Sequence, residues 1–363
     1  MFRHLLPIVL FWGLCSIALG FTLSPKPLAR CRSRAQFARG MTTRMDAVAP
    51  GGKVVVVGSG PILALTAKRA ALAGYETNVV VGTSAKMYQD LIFGYIKQYK
   101  NKNLKLGGMV PMDEKVKENL KFIESISGDD EEAFDALISS CDAVLIAIDS
   151  DAAMSDALLD LIIPTPAMGG KDACSAKRII AMSRNLNGKG LGPFAIAAKI
   201  ASNPDVWAGG EAINDYKRFD ATVKRKAAEL GAEYVIARAG TLKGGGGGLN
   251  QNADEGVQRM GLAPDFYAMG AQDIVNWRLL FDGSCQGVKL TRGDTVEGPG
   301  FGAAFAATAF DIRPGDTGRT GIAGAMVHAL SHPEGNYDFG VGSAEAKTPP
   351  ISESEWADIF STL

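Results

Sequence analysis

The stretch Lys53-Val54-Val55-Val56-Val57-Gly58 constrains this chain more than any other. Consecutive valines closing on a glycine suit a strand buried on both faces, as in a parallel sheet. Ser59-Gly60-Pro61-Ile62-Leu63 follows, then a helical stretch from about 64 to 73 stopped by Gly74, then a second strand, Thr77-Asn78-Val79-Val80-Val81. Strand, glycine turn, helix and strand form a βαβ unit, the context in which a G-x-G motif carries meaning. Gly58 allows the tight turn, and Gly60 lets a pyrophosphate approach the backbone at the helix N-terminus. Leu63 replaces the third glycine of the full G-x-G-x-x-G pattern, the one that serves close helix–strand packing.

The alternation continues downstream. Residues 88–120 look like an insertion rich in Tyr, Lys and Asn. Phe122 to Ser127 then reads as a strand ending in Gly128-Asp129-Asp130, and Glu131 to Ser139 as a helix. Asp142 to Asp149 and Lys177 to Ser183 are two further apolar strands, the second preceded by a long helical passage. Strands separated by helices predict an α/β fold with a doubly wound parallel sheet. Ligands of such a sheet sit beyond the C-terminal ends of its strands, so Ile148 falls at a candidate site and residues 251–310 are expected to form a lid or substrate wall. The second strand ends in Val81-Gly82-Thr83-Ser84-Ala85-Lys86, with no acid before Asp90. An acid there would bind a ribose 2′-hydroxyl, whereas hydroxyls and Lys86 suit a 2′-phosphate. If a dinucleotide binds, NADP(H) is therefore expected over NAD(H).

The first 45 residues read as an address. Arg3 and His4 precede an apolar run, Leu5 to Gly20, that closes on Ala18-Leu19-Gly20. Sixteen residues is short of the roughly 20 needed to span a bilayer, so residues 1–20 are expected to be a secretory signal. Residues 21–45 hold Lys26, Arg30, Arg32, Arg34, Arg39 and Arg44 with several hydroxyls and no acid, the composition of a transit peptide. The pair resembles the bipartite presequence of algae whose plastids arose by secondary endosymbiosis, which implies a plastid location. The segment carries seven of the chain's 38 Lys and Arg and none of its 39 Asp and Glu. The acidic remainder disfavours binding to nucleic acid. No later segment reads as a membrane span, so any thylakoid association would be peripheral. Five cysteines and three histidines, without C-x-x-C or H-E-x-x-H spacing, argue against a disulfide framework and a metal site.

Several segments together resemble the atypical short-chain dehydrogenase/reductases, the extended, NmrA-like group of NAD(P)-binding Rossmann proteins. They are Ser127-Gly128-Asp129, Asp142-Ala143-Val144-Leu145, Lys177 to Ser183, Tyr234-Val235-Ile236-Ala237-Arg238-Ala239-Gly240, and Ile312-Arg313-Pro314-Gly315-Asp316-Thr317 before an apolar helix from Ile322 to Leu330. Their order holds across residues 54–341, and a single Rossmann-like domain is expected over 53–345. The expected cofactor contacts are Gly58, Ser59, Gly60, Ile62, Lys86 and Ile148, to which the resemblance adds Asp129 on the adenine side. The resemblance also implies a Tyr-x-x-x-Lys pair, whose lysine lowers the tyrosine pKa, beside a carbonyl-orienting serine. Ser183 and Tyr216 take the serine and tyrosine places. Asp220 stands where the lysine belongs; of the nearby Lys217, Lys224 and Lys226, Lys224 or Lys226 could approach the cofactor if the helix register shifts, Lys224 lying two helical turns from Tyr216.

Two readings remain open at this level: a plastid oxidoreductase acting on a small molecule, and a dinucleotide-binding regulatory or assembly factor that lost the chemistry. The Gly244–Gly248 run reads as a flexible connection, and His328 as a structural residue on an apolar helix.

Overall fold

The computed structural model describes residues 47–81, 85–93, 113–124, 131–168, 173–186, 196–197, 200, 207–245, 259–263, 287–295, 315–344 and 350–363. In chain order the elements are β1 (Lys53–Ser59), α1 (Gly60–Leu72), β2 (Glu76–Val80), α2 (Ala85–Phe93), α3 (Glu114–Asn119), β3 (Leu120–Ile123), α4 (Glu131–Ile138), β4 (Ala143–Ile148) and α5 (Asp156–Ile162). There follow β5 (Arg178–Arg184), α6 (Glu211–Leu230), β6 (Glu233–Ala239), β7 (Thr241–Lys243), β8 (Gly287–Arg292), β9 (Asp316–Gly318), α7 (Arg319–Ser331), β10 (Tyr337–Ala344) and α8 (Glu353–Phe360).

Eight strands form one sheet in the order β3-β2-β1-β4-β5-β6-β10-β8, and β7 and β9 pair separately. All neighbours in the large sheet run parallel except β8, which runs antiparallel to β10. The 3-2-1-4-5-6 run is the Rossmann order, with its reversal between β1 and β4. The expected α/β, doubly wound architecture is therefore the observed one.

The valines of β1 divide by the two-residue period of a strand. Val54 and Val56 enter the core shared with α1, α7 and α8, while Val55 and Val57 enter the core under α4, α5 and α6. A strand needing two apolar faces has no polar alternation, which is why this one was visible in the sequence.

Helix α1 starts at Gly60, earlier than the expected 64, because Pro61 at its start has the fixed φ of a first helical turn and lacks an N–H that would go unused there. Strand β3 begins at Leu120, not Phe122, its register set by Leu120 opposite Thr77 and Ile123 opposite Val80. The stretch that begins at Tyr234 forms two strands, β6 and β7, broken at Gly240, where a Cβ would lie 2.0 Å from the Gly315 carbonyl oxygen. The insertion expected over 88–120 contains the end of α2 and all of α3; residues 94–112 lie outside the described residues.

Beyond 345 the chain adds α8, entered through a capping box between Ser352 and Glu355, with Trp356 and Phe360 in the core. His328 meets it, with Nδ1 3.0 Å from Glu353 Oε2. Arg178 has the second large role in this half. Its guanidinium donates to the carbonyls of Ala329, Leu330 and His332 and pairs with Glu233, closing the C-terminus of α7. No helix among the described residues is long and apolar enough to cross a membrane. Nor does any group of three or more His, Cys, Asp and Glu among them form a metal-holding cluster.

Candidate functional site

The reversal of strand order leaves a crevice at the C-terminal ends of β1 and β4, and the β1–α1 turn lies at its mouth. Gly58 has φ +145°, and a Cβ on it would lie 1.7 Å from the Ala147 carbonyl oxygen in β4. Gly60 has φ +70°, and its Cβ would lie 2.7 Å from Asp149 Cβ. Both glycines therefore admit a close neighbour from the end of β4.

That neighbour at Gly60 is a carboxylate. Asp149 follows directly on Ile148, the buried last residue of β4, and its Oδ2 accepts the Ile62 N–H at 3.0 Å. Arg319, the first residue of α7 and 3% exposed, grips the same carboxylate through Nε at 3.0 Å and Nη2 at 2.9 Å. Its Nη1 donates to the Gly244 carbonyl at 3.0 Å, tying the start of the glycine run to this point. Of the other N–H groups in the first turn of α1, Gly60 donates to the Tyr88 hydroxyl at 3.2 Å, and Pro61 has none. Ser59 is half-buried at the end of β1 and its side chain makes no cap.

Along the edge of the crevice, Ala85 N–H at the start of α2 donates to Glu124 Oε1 at 3.0 Å, and Lys86 is exposed beside it. The acid absent from the end of β2 is thus supplied across the sheet, by the residue after β3. Gly82, Thr83 and Ser84 lie outside the described residues, as does Asp129.

The second group of expected residues lies at the ends of β5 and β6 under α6. Ser183 is buried, and its Oγ faces Asp220; neither that hydroxyl nor Asp220 Oδ1 has a hydrogen-bond partner of good geometry. Asp220 Oδ2 accepts from Arg238 at 2.7 Å, Arg238 reaches Asp338 at 2.6 Å, and Lys224 Nζ lies 3.0 Å from Asp338. Lys224 also stands over the Tyr234 ring, 5.0 Å from its centroid. The structure thus ties Lys224 to Asp338 and not to Tyr216.

Tyr216 is 2% exposed, stacks on Trp207 with centroids 6.1 Å apart, and interacts through its hydroxyl with Arg184. Burial raises its pKa, Arg184 opposes the rise, and Asp151 and Asp220 add to it. That is the reverse of what a tyrosine–lysine pair does. Arg184 is itself held by the carbonyls of Asp149 and Ser150 at 3.1 Å and by the Asp151 carboxylate at 3.0 Å. Burial also raises the Asp220 pKa, against the pull of Arg238 and Ser183.

The structure brings Gly58, Ser59, Gly60, Ile62 and Ile148 to one mouth and Ser183, Tyr216 and Asp220 under one helix. Sequence reasoning missed Asp149, Arg319, Arg184 and Glu124. For Asp149 a signal existed, an acid terminating a fully apolar strand. Arg319 carried none, because its partner lies 170 residues away.

Strand order and glycine turn together define a Rossmann-like doubly wound α/β protein. No family model and no curated protein sequence matches the chain. Solved structures do. It is similar to a putative NAD-dependent epimerase/dehydratase from Bacillus halodurans, 14% identical over 86% of this chain and 100% of that one, TM-score 0.41. It is similar to ChuY, an anaerobillin reductase from Escherichia coli O157:H7, 14% identical over 82% and 99%, TM-score 0.39. Vestitone reductase from alfalfa is 10% identical over 85% and 92%, TM-score 0.38. At these identities and TM-scores the fold assignment rests on the strand order and the glycine turn.

Proposed function

We propose that this chain binds a nicotinamide dinucleotide across the β1/β4 crevice and does not use it through a tyrosine–lysine proton relay. One observation carries the binding: the reversal of strand order sets a glycine turn and the N-terminus of α1 where a pyrophosphate is held in this architecture. The donors suit an oxyanion, because Ile62 N–H and the Arg319 guanidinium already hold one, the carboxylate of Asp149. Ile62, Arg319 and the glycine turn would hold the pyrophosphate, and a bound nicotinamide would supply hydride transfer.

The loss of the relay is read from Asp220, Tyr216 and Lys224. The position that needs a cation holds a carboxylate committed to Arg238, and the tyrosine hydroxyl is turned to Arg184. A regulatory or assembly factor of the plastid fits this best. The plastid address, and any peripheral association with a thylakoid surface, rest on residues 1–45 and on the resemblance named above.

NADP(H) is the proposed form, on exposed Lys86; Glu124 on the Ala85 N–H opposes it, as a ribose 2′-hydroxyl acceptor would. Fluorescence titration of the purified protein with NADPH and NADH tests both points. Binding of NADPH tighter than NADH is expected, and no binding of either would remove the proposal.

Tyr216→Phe separates the two readings. The ring, buried and stacked on Trp207, stays in place, so stability should change by no more than about 1 kcal/mol. Dinucleotide affinity should stay unchanged. A fall of ~10²-fold or more in a measured turnover, the scale of general acid catalysis, would instead restore the reductase reading.

A further inference from the structure

We infer that Asp149 is a tethered occupant of the anion seat, which an incoming phosphate must displace; this rests on the dinucleotide reading above. The seat is made by three elements at once. The N-terminus of α1 supplies Ile62 N–H, the end of β4 supplies the carboxylate, and the N-terminus of α7 supplies Arg319. The Asp149 side chain lies over Gly60, in the space a Cβ there would enter. The backbone approach that Gly60 permits is therefore taken by the protein's own anion. A phosphate on the Ile62 N–H and the Asp149 carboxylate would need the same donor and the same volume.

The charges at the seat do not balance around one carboxylate. Arg319 contributes a full positive charge. The N-termini of α1 and α7 each add the equivalent of roughly +0.5 charge. Arg319 also stands at the first residue of α7, where the helix dipole disfavours a cation, and it is almost wholly buried. Such a guanidinium keeps its place only while an anion faces it. Asp149 can leave if another anion arrives, and a pyrophosphate, with more negative charge, matches the surplus better. A neutral ligand would leave Arg319 buried and unpaired. The seat thus selects phosphate-bearing ligands, and in their absence it is closed by exchange of one anion for another.

The consequence is quantitative, because apparent affinity falls by the fraction of molecules whose seat is open. The full chain, its Asp149→Asn variant and its Asp149→Ser variant are titrated calorimetrically with inorganic pyrophosphate, ADP, NADPH and NADH. Asparagine keeps the shape and can still accept from Ile62 and Arg319, so it guards against misfolding. Serine empties the volume. Both variants should bind pyrophosphate and dinucleotide at least about tenfold more tightly than the parent, or about 1.4 kcal/mol. Asp149→Ser should also melt at a lower temperature without ligand and recover more than the parent does when pyrophosphate saturates it.

Equal or weaker binding of dinucleotide by both variants overturns the tethered-occupant inference and leaves the dinucleotide reading standing. Tightened pyrophosphate binding with no dinucleotide binding in any protein does the opposite. Failure of both folded variants to bind pyrophosphate overturns the seat itself.

Discussion

Gly58→Ala is expected to remove most of the folded protein, although it adds a single methyl group. The Cβ would sit 1.7 Å from the Ala147 carbonyl oxygen and 2.5 Å from its carbonyl carbon. No rotamer relieves this, because the obstacle is the backbone of a central strand. Gly58 and Ala147 are direct register partners in the β1–β4 pair, with Ser59 and Ile148 beyond them. The residue also holds φ +145°, a region essentially closed to a side chain. Strain of about 1–3 kcal/mol from the dihedral, added to overpacking of a similar size, gives a loss of roughly 2–6 kcal/mol. Against a total stability of ~5–15 kcal/mol, that change alone can empty the native state. Chemical denaturation of the variant should show a sharply lowered midpoint or no native baseline. Parent-like stability would mean that β1 and β4 do not approach as described. Gly60→Ala should be milder, since its obstacle is the Asp149 side chain, 2.7 Å away, which can swing.

This contrast explains what the sequence could and could not reveal. The central strands were legible because burial on both faces demands unbroken apolar runs, as in Val54–Val57 and Ala143–Ile148. Strand β8 lies within 251–310, where a lid or substrate wall is expected, yet it extends the main sheet beside β10, and neither strand has an unbroken apolar run. Their residues alternate or are interrupted by Gly340 and Gly342, and β8 is half exposed at the sheet edge. Helix α8 buries Trp356 and Phe360 in the core, with Ile359 packed against it, and its clearest mark is the Ser352–Glu355 capping box.

The site was legible in position and not in content. Gly58 and Gly60 pointed to the right turn, but the atoms that require them belong to Ala147 and Asp149, almost ninety residues on. Lys224 looked like a replacement for the missing relay lysine. Only the fold reveals Asp338 in β10 as its partner. Charges that pair across layers leave no periodicity in a sequence, so the network under α6 could not be derived from it.

Arg238→Met tests that network. The guanidinium is 5% exposed and lies between two carboxylates, Asp220 at 2.7 Å and Asp338 at 2.6 Å. Replacing it with methionine keeps most of the volume and removes the cation paired with Asp220. Asp338 retains Lys224. Breaking a buried pair by deleting one partner typically costs ~3–5 kcal/mol, because the remaining charge is stranded out of water. The loss should depend on pH in a defined direction. Burial already raises the Asp220 pKa in the parent, and the variant loses the cation that opposes the rise. A carboxyl whose folded pKa lies above its unfolded value stabilises the fold when protonated, and that contribution is lost as pH rises through the folded pKa. The variant's deficit should therefore be largest near neutral pH and shrink as pH is lowered toward the ordinary carboxylate range. Adding Asp220→Asn should recover part of the loss near neutral pH, as expected for coupled neighbours. Denaturation curves of the parent, the single variants and the double variant across that range measure all three effects. A deficit that is small, or that grows on acidification, would show that Asp220 does not depend on Arg238. The aspartate in the relay position would then be free to take up another role.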